Sequence, residues 1–189
     1  WFPDVKVEIK TFPLLPENGF LVHYRIATDQ RVILCAGFGG ITGFMGRFEY
    51  AQVTERNFHA FDCTGNTVIC GNNRAEVKSA DGNVVRIGTS FPVKMEVGDA
   101  AMMQDGPPGM FLAGLANSTY PVLKMSSAIN AGETFEGFIA VLRNADECVL
   151  DKWLNCADPV SCLKSQIHHK RAGIAVQTPD TEFNLTIPP

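Results

Sequence analysis

The fold class is decided by the stretch Val5-Lys6-Val7-Glu8-Ile9-Lys10, in which apolar and polar residues alternate. Side chains of successive strand residues point to opposite faces, so this alternation predicts a β-strand with one apolar and one polar face. The same period returns at Phe20, Val22, Tyr24 and Ile26, after turn-forming residues at 16–19. Two amphipathic strands near the amino end therefore indicate a β-rich protein.

Short strand patterns separated by turn signals continue through most of the chain. The stretch 31–36 follows Phe20 to Ile26 across the short turn 28–30, which predicts a hairpin. Asp81-Gly82 is a strong hairpin turn signal between 74–79 and 83–87. Further strands are predicted at 44–54, 57–62, 67–70, 91–97, 110–115, 122–125, 133–143, 174–177 and 183–187. Strands at this spacing predict an antiparallel β-sandwich or jelly roll.

Helical signals are confined to a short insertion near 144–171. Asn144 is a suitable cap for a helix through 155, and Asp158-Pro159 is a favourable start for a second helix that ends before Gly173. With 189 residues, the chain has the size of one domain, so we expect residues 1–189 to form a single β-rich domain.

Composition and charge exclude several functional classes. The net charge is −4 and charged residues make up only 19% of the chain, so there is no basic field for nucleic acid. No apolar stretch reaches the roughly 18 residues of a transmembrane helix. Because the chain begins at Trp1 rather than Met, either a targeting segment has been removed or the chain is an excised fragment.

Six cysteines form an even set, which predicts a disulfide framework and an oxidising compartment. The most economical pairing joins Cys63 to Cys70 across a hairpin, Cys156 to Cys162 around a helix start, and Cys35 to Cys148. Six cysteines allow fifteen pairings, and six reduced thiols are the alternative. No Cys-x-x-Cys pair is present, so a structural zinc site is not expected and no metal or cofactor is predicted.

Two sequons agree with a secreted or surface-exposed glycoprotein. Asn117-Ser118-Thr119 follows a predicted strand, and Asn184-Leu185-Thr186 lies near the carboxyl end. Asn117 and Asn184 are therefore glycosylation candidates. The expected location is extracellular or at the surface of a cell or virion.

The glycine-rich stretch 36–46 is the most unusual segment. Its glycines do not match a dinucleotide-binding fingerprint, and no lysine follows for a phosphate loop. The apolar residues Phe38, Ile41, Phe44 and Met45 could contact a membrane or a partner, or the glycines could mark a kinked strand at a sheet corner.

No catalytic motif is present, which favours a binding function over an enzyme. The leading hypothesis is a disulfide-stabilised module that recognises a protein, glycan or lipid surface. One alternative is a structural subunit of an extracellular or viral assembly that uses the Gly/Phe-rich loop. An enzyme whose site is assembled from scattered residues is the third.

Overall fold

The computed structural model describes residues 4–14, 17–39, 60–105 and 118–171. These residues form two antiparallel sheets, two short α-helices and two 3₁₀ helices at Ala60–Cys63 and Ala100–Asp105. The strands are β1 (Val5–Leu14), β2 (Gly19–Thr28), β3 (Val32–Phe38), β4 (Thr67–Cys70), β5 (Arg74–Lys78), β6 (Val84–Thr89), β7 (Lys94–Asp99), β8 (Pro121–Ile129) and β9 (Thr134–Arg143). The helices are α1 (Glu147–Leu154) and α2 (Pro159–Arg171). The predicted mostly β, antiparallel fold with a helical insertion is confirmed.

The larger sheet has six strands in the order β1-β2-β9-β6-β5-β4. Strand β9 lies at its centre, paired with β2 on one side and β6 on the other. The alternation of β1 and β2 is kept in register, because Ile9 pairs with Tyr24 and Val7 with Ile26. Their apolar side chains therefore share one face of the sheet, and Lys6, Glu8 and Lys10 share the other.

The smaller sheet has the order β3-β8-β7, and it packs against the apolar face of the larger sheet. The main core lies between the two sheets. Its buried members are Ala75, Val77, Val85, Ile87, Phe91, Leu123, Met125, Ile139 and Val141. Within the described ranges three strands face six, so the smaller sheet covers only part of the larger one.

Both helices pack on the outer face of the larger sheet. Trp153 and Leu150 of α1 and Leu163 of α2 are buried in a second cluster with strand residues that include Leu21 and Phe138. The predicted start of α2 is confirmed, since an oxygen of Asp158 accepts a hydrogen bond from the backbone N–H of Ser161 at 2.9 Å.

The predicted hairpin turn at Asp81-Gly82 is confirmed. Strands β5 and β6 pair directly, and Gly82 has a φ of +88°, a conformation that glycine adopts without steric cost. The carboxylate of Asp81 accepts a hydrogen bond from the side-chain amide (Nδ2) of Asn83 at 2.7 Å, which further fixes the turn.

The hairpin predicted between 20–26 and 31–36 is wrong. Both edges of β2 are occupied, by β1 and β9, so β3 cannot pair with it. The turn 29–31 instead carries the chain from the larger sheet to the smaller one, where β3 pairs with β8.

The described part of the strand predicted at 57–62 and the cap predicted at Asn144 are also wrong. Within the described part of that strand, Ala60–Cys63 is a 3₁₀ helix, and the backbone N–H of Thr64 donates to Phe61 O at 3.0 Å. Asn144 has a φ of +50°, and its side-chain oxygen accepts from Val84 N at 2.9 Å, so it closes the β6–β9 pair. Asp146 precedes helix α1 in its place.

Candidate functional site

An apolar groove of about 450 Å³ opens between β1 and β3, at the side of the sandwich that the smaller sheet leaves uncovered. One wall is the apolar face of β1 and β2, and the other is the edge of β3. The lining residues are Asp4, Val5, Val7, Ile9, Tyr24, Ile26, Gln30, Arg31, Val32, Ile33, Leu34, Cys35 and Ile129. A volume of this size and a mostly apolar lining are typical of ligand-binding sites.

Three large apolar side chains of the groove are more than half exposed. The exposed fractions are 53% for Val7, 57% for Ile9 and 63% for Ile33. The alternation of β1 places Val7 and Ile9 on the face that should be buried, but β1 is the outermost strand and extends beyond the smaller sheet. A grouped set of exposed apolar side chains indicates a contact surface, whereas isolated ones are ordinary.

One end of the groove is closed and polar. Asp29 N donates to Asp4 O at 3.4 Å, and Gln30 Nε2 donates to the Asp4 carboxylate at 3.2 Å. These hydrogen bonds join the start of β1 to the turn before β3. Arg31, the residue before β3, is exposed and forms no ion pair with another described residue.

Two ionisable groups in the groove are shifted by burial. Burial raises the pKa of the Cys35 thiol and also that of the Tyr24 hydroxyl. Both side chains therefore stay protonated and uncharged near neutral pH. A raised pKa lowers the thiolate fraction of Cys35 and with it the reactivity of this thiol.

A second cleft, of about 640 Å³, lies between the larger sheet and the start of α2. Its lining is about half polar, and two of its polar side chains already have partners. His23 Nε2 lies 3.1 Å from the Glu136 carboxylate, and Lys10 Nζ lies 2.6 Å from Glu8, whose pKa the Lys10 hydrogen bond lowers. Because its lining is less apolar and carries no cluster of exposed large apolar side chains, this cleft offers less apolar surface to a ligand than the groove does.

Of the four apolar residues predicted to form a membrane or partner loop, only one lies in the described part of the chain. Phe38 ends β3, is half-buried and packs against the main core together with Leu34. Ile41, Phe44 and Met45 lie outside the described residues. That these four residues form one surface therefore stays a prediction.

No disulfide bond joins any of the six cysteines. The sulfurs of Cys156 and Cys162 approach to 3.6 Å, where a disulfide requires about 2.05 Å. Cys63 is buried beside Ala100, and the hairpin expected to join it to Cys70 does not form, since β4 pairs with β5. Cys35 lies on β3 and Cys148 on α1, at exposed positions.

The remaining predicted features are mostly untested by the structure. Asn117 and Asn184 lie outside the described residues. Within the described part of the chain, no group of three or more His, Cys, Asp and Glu residues is placed to hold a metal ion. The described helices are also too short or too polar to span a bilayer.

The apolar face of β1 was predictable from the sequence, but its exposure was not. The alternation at Val5, Val7 and Ile9 shows which side chains share a face, and the width of the opposing sheet decides whether that face is covered. The strand that contains Ile33 was also predictable, but its position beside the groove was not, because β3 pairs with β8 rather than with β2.

Fold and site together define a two-sheet β protein with helices on one outer face and an exposed apolar groove at one side. Comparison of the chain with known protein families and with curated proteins gave no match in either case.

Proposed function

We propose that this protein is a binding module whose ligand occupies the groove between β1 and β3. The observation that carries the proposal is the exposure of Val7 and Ile9, two large apolar side chains on the face of β1 that lines the groove, with Ile33 at the rim formed by β3. Covering this surface would remove apolar area from water, the main source of binding free energy in most association.

The test uses the fluorescent apolar probe 1-anilinonaphthalene-8-sulfonate, with a charge placed in the groove. Ile9→Glu and Ile33→Glu should each reduce probe binding, because a carboxylate disfavours the apolar site. The matched control is Ile69→Glu on β4, at the opposite edge of the larger sheet, where the isoleucine is 60% exposed. It should bind the probe as the parent does.

Equal loss in all three variants, or no loss in the two groove variants, would contradict the proposal. Thermal unfolding of each variant separates loss of the site from loss of the fold. Since all three isoleucines are exposed to a similar extent, their effects on stability should be similar and small.

We also propose that the protein works at a surface or outside the cell, stabilised by a Cys156–Cys162 disulfide and glycosylated at its sequons. The 3.6 Å approach of the two sulfurs at an exposed helix junction supports this bridge. Intact mass before and after reduction and alkylation tests it. Six alkylated thiols without prior reduction, in protein from its native source, would contradict the proposed compartment.

A further inference from the structure

The outer edge of β1 has no strand partner among the described residues. Asp29 N donates to Asp4 O at the start of the β1–β2 pair, so the even-numbered residues of β1 direct their backbone groups toward β2. The odd-numbered residues direct theirs to the open edge. Pro13, which has no N–H, stands at one of these odd positions, as expected of an edge strand. Unpaired N–H and C=O groups along such an edge are a template for another strand.

The first half of this edge is open on both faces of the sheet. Every residue from Lys6 to Ile9 is exposed. Helix α2 covers only the other half of β1, where it packs in the same cluster as Phe12 and Leu14. On the apolar face, the groove sets β3 back from this edge. A second strand therefore has room along residues 5–9.

The polar face of this stretch carries charges of alternating sign, at Lys6, Glu8 and Lys10. Opposite charges directly across a strand pair are stabilising, and like charges are destabilising. Antiparallel pairing of two β1 strands about a twofold axis at Val7 places Lys6 opposite Glu8 of the second copy, and symmetry repeats this contact. An axis at Lys6 or at Glu8 would place like charges opposite each other. The strand is therefore complementary to itself when the axis passes through Val7.

Both charged groups are able to form this contact. Lys6 forms no ion pair with another described residue. Glu8 lies 2.6 Å from Lys10 of its own strand, but a carboxylate has two oxygens and accepts several hydrogen bonds. Glu8 can therefore bind Lys10 and Lys6 of the second copy together.

The apolar face favours the same axis. Val7 would face Val7 of the second copy, and Val5 would face its Ile9. β-branched side chains pack well against their cross-strand neighbours. All three residues are odd-numbered, so their outward backbone groups also pair. An axis at Ile9 keeps opposite charges together but places Val5 opposite Pro13, whose missing N–H removes a hydrogen bond.

We propose that two copies of this chain form a dimer by antiparallel pairing of their β1 strands about a twofold axis at Val7. The two six-stranded sheets become one continuous sheet, held by backbone hydrogen bonds along residues 5–9 and by two ion pairs between Lys6 and Glu8. The axis is perpendicular to the sheet, so both grooves open on the same side and lie next to each other. This inference goes beyond the proposed binding function and does not depend on it.

Sedimentation velocity of the full chain at about 5 to 200 μM tests the dimer. The paired stretch 5–9 is a small interface, so we expect a dissociation constant in the micromolar range. Lys6→Glu and Glu8→Lys each place like charges opposite each other at both ion pairs and should weaken dimerisation roughly tenfold or more. The matched control is Lys78→Glu at the end of β5, remote from β1 in the sheet, which should dimerise as the parent does.

A mixture of the two single variants tests the register. A Lys6→Glu copy presents only acidic side chains at positions 6 and 8, and a Glu8→Lys copy presents only basic ones. Each variant repels itself and attracts the other, so the mixture should form a dimer at least as tight as that of the parent. A general effect of either substitution on folding would not produce this recovery.

Val7→Pro tests the backbone pairing at the axis. The substitution removes an outward N–H that forms no bond to β2, so thermal unfolding should show that the fold persists while dimerisation is lost. Val7→Ala keeps this N–H and should reduce dimerisation far less.

A parent that stays monomeric at about 200 μM would overturn the proposal. A dimer that persists in both single variants, or a mixture that recovers no dimer, would also overturn it. In each of these cases the proposed binding function stands if the 1-anilinonaphthalene-8-sulfonate probe still binds in a groove-dependent way. Dimerisation as predicted, without groove-dependent binding of the probe, would support this inference and contradict the proposed function.

Discussion

Replacing Asp99 should destabilise the protein in a pH-dependent way, because its carboxylate joins two separate segments. Asp99 ends β7 and accepts hydrogen bonds from Ala101 N at 2.8 Å, Ser118 Oγ at 2.8 Å, and Thr119 N at 2.9 Å. Tyr120 N is a weaker donor at 3.4 Å. One side chain thus fixes both the 3₁₀ helix after β7 and the entry to β8.

The magnitude follows from the three short hydrogen bonds. Asp99→Ala removes the acceptor of all three, and the partly buried donors recover some of the loss from water, so we expect a cost of about 2–4 kcal/mol. Asp99→Asn keeps one carbonyl oxygen and loses the charge, so about 1–2 kcal/mol is expected. Urea unfolding at pH 7 measures both values.

The pH dependence has a defined sign. Burial of Asp99 opposes ionisation, but the hydrogen bonds outweigh it and lower the pKa of the carboxyl in the folded state. The stabilisation is therefore complete above the unfolded pKa of about 3.9 and is lost as pH falls through the lower folded value. The difference between the parent and Asp99→Asn should be constant from pH 5 to 7 and shrink below about pH 4. A difference that stays constant down to pH 2.5, or no difference at pH 7, would refute this reasoning.

Three further changes test the packing. Trp153→Ala should lower the free energy of unfolding in urea by about 3–5 kcal/mol, because it leaves a cavity in the buried cluster between α1 and the larger sheet. Gly137→Ala should cost about 1–3 kcal/mol, since the added methyl would lie 2.6 Å from Phe91, and a loss equal to that of the control Gly71→Ala would contradict this packing. Ile33→Thr should cost at most about 1 kcal/mol, because only about a third of this side chain is buried, and a loss as large as that of Trp153→Ala would show that the groove wall is part of the core.

The sequence was sufficient to predict the strands, turns and helix starts that have strong local signals. The alternation from Val5 to Lys10, the Asp81-Gly82 turn and the Asp158-Pro159 helix start depend on neighbouring residues alone, so local physics determines them. The partner of each strand depends on residues far along the chain. The turn 28–30 has hairpin-like residues, yet β9 already occupies the edge of β2 that β3 would need.

The candidate site was less predictable, because it depends on the relative widths of the two sheets. Val7 and Ile9 are exposed because β1 is the outermost strand of the larger sheet, and the residues of β1 do not indicate that position. The prediction of a hairpin between Cys63 and Cys70 was wrong for a related reason, because β4 pairs with β5 and not with the segment before it. Cys156 and Cys162 were brought close because both flank a local helix start.

The most direct test of the groove is a two-dimensional amide NMR spectrum recorded as 1-anilinonaphthalene-8-sulfonate is added to the parent protein. Binding in the groove predicts that the largest shifts fall on the amides of residues 5–9, 24–26 and 31–35, with little change on β4 around Ile69. Shifts concentrated on β4, or in the polar cleft at His23 and Asp158, would contradict the assignment of the groove as the binding surface.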